Sequence, residues 1–150
     1  MIWKTILVPH DFSSSANHAV AIARDEAKAH GAKLILLHVV DLPAGINPDA
    51  VIVPDDTGAP INIKAYAINK AEEHLADLSA RIAKDGVTAT TFIRIGKPED
   101  EIVKFATENN VDLIAMGTHG RTGLAHMLVG SCAERVVRTS KCPVLTIRAE

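Results

Sequence analysis

The strongest constraint on this chain is an alternation. Short, unbroken apolar runs take turns with stretches whose apolar residues recur at helical spacing. Thr5-Ile6-Leu7-Val8 is one such run, closed by Pro9. Ser13 and Ser14 follow as good helix N-caps. Ala16, Ala19, Val20, Ala23 and Ala27 then mark one helical face up to Gly31. Leu34-Ile35-Leu36-Leu37 predicts a second strand, and Ile68, Ala71, Leu75, Leu78 and Ile82 a second helix ending near Gly86. Thr88 to Ile95 predicts a third strand, since it is rich in β-branched residues. Pro98 suits the first turn of a third helix, Glu99, Asp100 and Glu101 favour its dipole, and Asn109-Asn110 end it. Leu113-Ile114-Ala115-Met116 predicts a fourth strand, a fourth helix starts near Ser131, and Val144-Leu145-Thr146-Ile147 predicts a fifth strand. Strands that alternate with helices imply βαβ units and a parallel sheet. Unbroken apolar strands imply helices on both faces. The expected fold is therefore α/β, an open doubly wound five-stranded parallel sheet with four helices, in one domain spanning 1–150.

Composition removes the main competitors. With 150 residues, 47% hydrophobic and 23% charged, the chain can hold an ordinary core. No apolar run approaches the length of a membrane span. Met1-Ile2-Trp3-Lys4 lacks the apolar stretch and cleavage site of a secretory leader. Cys132 and Cys142 are too few for a disulfide framework, so a reduced, cytoplasmic protein is expected. Charge argues against nucleic acid. The formal net is −2, with 11 basic and 15 acidic side chains over residues 1–110 and 5 and 3 over residues 111–150. Such a weak positive bias near the end suits a small anion better than a duplex. Five aromatic residues offer no stacking platform for single strands.

Open α/β sheets take ligands beyond the carboxyl ends of their strands, where the strand order reverses. Two such ends carry unusual residues. Pro9-His10-Asp11-Phe12-Ser13 follows the first strand, and Gly117-Thr118-His119-Gly120-Arg121-Thr122-Gly123 follows the fourth. Neighbouring first and fourth strands would put both loops on one crevice. Glycines permit positive φ and close backbone approach, successive amides form anion nests, and a helix opening at Gly130-Ser131 adds unpaired N–H groups. Together these predict a phosphate cradle. The plainer alternative is loop punctuation, with Ser131-Cys132-Ala133-Glu134 closing the helix end as a capping box. Neither the Walker A loop, the Rossmann glycine pattern nor a G-x-S-x-G elbow is present. The Pro-rich segment 40–62 is long for a connection. It reads either as a disordered excursion or as a flap or subunit contact.

Gly117-Thr118-His119-Gly120, nine residues, then Gly130-Ser131 resembles the G-x-x-G-x(9)-G-[ST] nucleotide motif of the universal stress protein family. Ile6-Leu7-Val8-Pro9-His10-Asp11-Phe12-Ser13, Leu36-Leu37-His38-Val39, Gly96-Lys97-Pro98 and Lys141-Cys142-Pro143-Val144-Leu145 resemble other segments of that family, in order along essentially the whole chain. The resemblance implies strand order 3-2-1-4-5, in the adenine nucleotide alpha hydrolase-like arrangement. Family members with an intact motif bind ATP, and the motif is intact here. By position, Asp11 would accept hydrogen bonds from ribose hydroxyls, alongside Pro9 and His10. Val39 would meet the adenine edge through its backbone. Met116 and Gly117 would border the nucleoside. His119, Gly120, Gly130, Ser131 and Cys132 would hold phosphates, with Arg121 adding charge. His10 departs from the small or apolar residue the family pattern places after the proline. The other reading of Asp11 is a helix N-cap.

The expected occupant is ATP, with AMP and ADP as alternatives, and with Mg²⁺ or Mn²⁺ carried by the phosphates. No histidine pair has i, i+4 metal spacing. His38 reads as a satisfied core histidine, and Trp3 as a packing residue. Three functions compete. The leading one is an ATP-binding regulatory protein of the stress response. The second is an enzyme, a slow ATPase or a nucleotide-transferring enzyme of the same architecture. The H-x-G-H and S-G-G-x-D-S transferase signatures are absent, and any ATP hydrolysis would be weak. The third is an interaction module with a vestigial pocket, against which the intact glycines argue. Val144 to Ile147, at a sheet edge in this order, also predicts a homodimer by antiparallel pairing of that strand.

Overall fold

The computed structural model describes residues 2–119 and 129–148. Along the chain run β1 (Thr5–Pro9), α1 (Ser14–His30), β2 (Lys33–Val40), β3 (Val51–Ile52), β4 (Ile61–Asn62), α2 (Ile63–Lys84), β5 (Ala89–Ile95), α3 (Pro98–Glu108), β6 (Leu113–Gly117), α4 (Ser131–Thr139) and β7 (Val144–Ile147). The main sheet is ordered β5-β2-β1-β6-β7 and all its pairings are parallel. With the five anticipated strands numbered alone, that is the order 3-2-1-4-5. β1 lies in register with β2 from Thr5↔Lys33 to Pro9↔Leu37, and with β6 at Ile6↔Leu113 and Leu7↔Ile114.

The two-residue period of a strand explains why the central runs are apolar throughout. Ile6 and Val8, Leu34 and Leu36, Leu113 and Ala115 face α1 and α2. Leu7, Ile35 and Leu37, Ile114 and Met116 face the opposite way, against Ile102 and Phe105 of α3 and Ala133 and Val136 of α4. Each large aliphatic side chain buried this way contributes roughly 1.5–3 kcal/mol of transfer free energy. Trp3 packs against the first of these two clusters.

α1 begins where expected. Ser13 is its N-cap, with Oγ accepting from the Ala16 N–H at 3.2 Å. Gly31 ends it in the left-handed conformation, φ 65°. The 40–62 segment holds regular structure rather than a disordered excursion. β3 and β4 pair antiparallel as a two-residue ribbon, and Asn62 caps α2 by accepting from Ala65 N–H. Asp56 reaches Lys70 on α2 as an ion pair.

The candidate nucleotide site at the switch point

β1 is the strand at which connections change direction. The chain leaves it toward β2 through α1, and reaches β6 on its other side only after α3 has crossed back from β5. Above the carboxyl ends of β1 and β6 lies a cavity of about 250 Å³, just below the usual range for ligand sites. Pro9, His10, Asp11, Val39, Met116, Gly117, His119, Gly130, Ser131 and Cys132 all line it. Gly120 and Arg121, together with Gly123, lie outside the described residues. Ser13, Ala16, Leu37, His38, Pro98, Ile102, Thr118 and Ala133 complete the lining. Pro98 and Ile102 belong to α3 and carry no chemical signature. Only the crossing of the sheet by α3 brings them over β1. No residue of the 40–62 segment lines the cavity.

The β1–α1 turn is tied by its own side chains. Asp11 Oδ1 accepts from Ser13 N–H at 3.1 Å, a local turn rather than the helix cap, which Ser13 provides. His10 is 4% exposed. Its Nδ1 accepts from Phe12 N–H at 2.9 Å, and its Nε2 meets Asn17 Oδ1 at 2.9 Å. An amide N–H can only donate, so Nδ1 is bare and the proton sits on Nε2. Burial pushes the imidazole below 6.5, against the Asn17 hydrogen bond and the Asp11 charge. Phe12 sits at φ 66°, a conformation that costs an L-residue about 1–2 kcal/mol. Stacking opposes that strain. The Phe12 ring lies 4.5 Å from His38 at 27°, and 4.6 Å from His74. His38 is half-buried and Nδ1–H donates to His10 C=O at 2.7 Å, so it is a satisfied core histidine that also lines the cavity.

The opposite wall depends more on close backbone approach, and includes a side-chain bond, Thr118 Oγ1 to His119 Nδ1 at 3.0 Å. Gly130, not Ser131, is the N-cap of α4, with φ −68° and ψ 160°. Gly130 has no side chain to cap with, so the capping box expected with Ser131 as the cap does not form. Gly130 and the first helical residues, Ser131, Cys132 and Ala133, line the cavity. Gly130 N–H donates to Thr118 C=O and closes the neck of the connection. The expectation that these glycines serve positive φ is corrected for the two in the described part. Neither Gly117 nor Gly130 has positive φ. A Cβ on Gly130 would stand 2.7 Å from the Thr118 carbonyl oxygen, and one on Gly117 would stand 2.8 Å from the Ser15 carbonyl carbon. Both are glycine because protein backbone or side chain already occupies the space. The Cys132 thiol, half-buried at the helix start, is pushed up to about 11, first by burial and then by Glu99 and Asp11. Both cysteines are free.

A doubly wound parallel sheet with a cavity over its switch point places the chain in the open α/β class, whose ligands bind at that point. The model of the universal stress protein family matches residues 3–148, and the chain belongs to that family. A universal stress protein of Thermus aquaticus is 33% identical over 150 residues, covering 98% of this chain and all of that one. The universal stress protein UspA of Lactobacillus plantarum superimposes with a TM-score of 0.82 at 27% identity, over 99% of each chain. A universal stress protein solved in complex with cAMP superimposes with a TM-score of 0.67 at 28% identity, over 99% of this chain and 98% of that one.

Proposed function

We propose that this universal stress protein binds an adenine nucleotide, ATP foremost and AMP or ADP as alternatives, and acts as a cytoplasmic, nucleotide-dependent regulator of the stress response. One observation carries the reading. The same cavity is lined by a carboxylate held in a turn, Asp11, and by the start of α4, whose N-cap Gly130 brings no side chain. A nucleotide needs both kinds of partner, an acceptor for its diol and amides for its anions. The relative solved with cAMP supports the adenine class. Asp11 takes the ribose, Val39 the adenine edge, and Met116 and Gly117 border the nucleoside. His119, Gly130, Ser131 and Cys132 face the phosphates, which carry Mg²⁺ or Mn²⁺ with them. Gly120 and Arg121 belong to the same phosphate end by sequence. Asp11 is the one carboxylate among the described lining residues. Hydrolysis has no second acid to assist it there, which favours a regulatory protein over an enzyme. Native mass spectrometry of the purified protein tests the reading. A co-purified adenine nucleotide, or saturable heat on titrating ATP with Mg²⁺, is expected. Neither appearing would refute it.

The same reading includes a homodimer through β7. β7 is a sheet edge with no proline inside it and no charge before Arg148. Leu145 is 38% exposed, and Val137 on the adjacent α4 is 51% exposed. An apolar edge with unpaired backbone groups favours antiparallel pairing with a second copy. Leu145→Lys or Thr146→Pro should give monomers in sedimentation. A wild type that stays monomeric at concentrations on the order of 10 μM would overturn this assembly.

A further inference from the structure

His10 sits beneath the cavity with both ring nitrogens engaged, and that arrangement depends on its charge. Nδ1 is the acceptor for Phe12 N–H, and Nε2–H is donated to Asn17 Oδ1. Asp11 lies between His10 and Phe12 and lines the cavity. Its carboxylate accepts from Ser13 N–H, and the backbone that aims it is set by Nδ1 on one side and, on the other, by the left-handed Phe12 held against His38 and His74. We propose that His10 is a positioning residue through which proton uptake loosens the Asp11 turn and weakens nucleoside binding in mildly acidic solution. This rests on the nucleotide reading above and adds a regulation to it.

The step is the transfer of one proton from solvent to Nδ1. Nδ1–H then points at Phe12 N–H, two donors face each other, and the Phe12 amide loses its acceptor. The left-handed backbone loses an anchor, and the Asp11 carboxylate no longer stays on the ribose. The charges around the ring are set from three elements and the loop itself. Asp11 beside it favours the imidazolium, and Asn17 on α1 is a neutral acceptor. His38 on β2 and Arg81 on α2 oppose a positive charge. His74 on α2 reaches the loop through the Phe12 ring. Burial outweighs the favourable partners, so the folded protein takes up this proton below 6.5 while the unfolded chain takes it up near 6.5. Between those two values the unfolded chain holds more protons, and stability falls as pH falls.

The test is calorimetry of the full chain with adenosine, from about pH 7.5 to about pH 5, where histidines titrate. Adenosine carries no phosphate, so a titrating phosphate does not enter the result. Affinity is expected to fall, approaching about tenfold per pH unit below the His10 pKa. Without ligand, the Phe12 amide resonance should shift over the same range. Asn17→Asp, at an exposed helix position, sets a carboxylate on Nε2–H and should move both the affinity limb and the Phe12 shift to higher pH. His10→Asn supplies a non-titrating acceptor and should flatten the limb, whatever its affinity at neutral pH. Wild-type affinity that stays level across the range overturns the proposal. So does a limb that Asn17→Asp leaves in place, which would assign it to another histidine. Absence of adenosine and ATP binding at every pH would instead defeat the nucleotide reading itself, and this proposal with it.

Discussion

The turn after β1 and the described ends of the β6–α4 connection, Thr118, His119 and Gly130, line one cavity, yet they are held by different means. The β1–α1 turn is built from side chains. Asp11 bonds Ser13, His10 bonds Phe12 and Asn17, Ser13 bonds Ala16, and the Phe12 ring packs against three imidazoles. The described part of the β6–α4 wall includes a side-chain bond, Thr118 Oγ1 to His119 Nδ1, but is set more by close approaches at Gly117 and Gly130 where a methyl group does not fit. The difference teaches where each wall is vulnerable. Side-chain walls fail by losing an atom or gaining a proton, and backbone walls fail by gaining an atom.

The sharpest break of this contrast is at Gly117. Valine there drives a Cβ against the Ser15 backbone and side chain at the start of α1, beneath both walls at once. Overpacking against backbone has little room to relax, and a loss of about 3 kcal/mol or more is expected. Thermal unfolding should show a melting temperature many degrees lower. An unchanged melting temperature would remove the close approach of β6 and α1 from the account. Gly130→Val acts on one wall alone. The added Cβ meets Thr118 C=O and opens the neck that positions the α4 amides. The fold should persist by circular dichroism. ATP should lose two or three charge-assisted hydrogen bonds of about 1.5–3 kcal/mol each, at least about a hundredfold in affinity. Adenosine, which does not reach that wall, should lose much less. Unchanged ATP binding in a folded Gly130→Val protein would falsify the phosphate assignment.

The same contrast explains what the sequence displays. β1, β2 and β6 are legible because a strand covered on both faces must be an apolar run, as Leu34 to Leu37 is, whereas the edge strand β5 is largely exposed and legible only from its β-branched residues. β3 and β4 are not, because two residues have no period and Val51 is 68% exposed. The glycines are legible as spacing, but their reason is not. It depends on Ser15 and Thr118, which only the packing of α1 and the closing of the loop bring into place. The missing cap of α4 is equally invisible, since Ser131 and Glu134 are spaced for a box that a helix beginning one residue earlier does not form. His10 shows in the sequence only as an oddity after Pro9. Its partners lie on α1 and β2, at positions that local pattern does not connect.

Asp11→Ala tests the side-chain wall. The carboxylate offers one oxygen to Ser13 N–H and lines the ribose end of the cavity. A hydrogen bond to a charged group is worth about 1.5–3 kcal/mol, so affinity should fall about 10- to 100-fold. Because ribose is common to all three, ATP, AMP and adenosine should fall together in calorimetry. A loss confined to ATP would move Asp11 to the phosphate end and erase the division between the walls.

The smallest expected effect sharpens that division most. Ser131 is the first residue of α4, exposed, and spared the capping duty its sequence context suggested. Its hydroxyl is one donor among a row of backbone amides. Ser131→Ala should therefore cost ATP only about 1 kcal/mol, roughly fivefold in affinity, while the amides keep most of the binding. Adenosine should bind as in the wild type, because nothing at the nucleoside end changes. Helix stability should hardly move, since Gly130 remains the N-cap and alanine is favourable in a first turn. Calorimetry with ATP, AMP and adenosine on Asp11→Ala and Ser131→Ala in parallel reads the whole pattern. Equal losses for all three ligands in both proteins would show one undivided site, and the contrast between a side-chain wall and a backbone wall would then describe the fold without describing recognition.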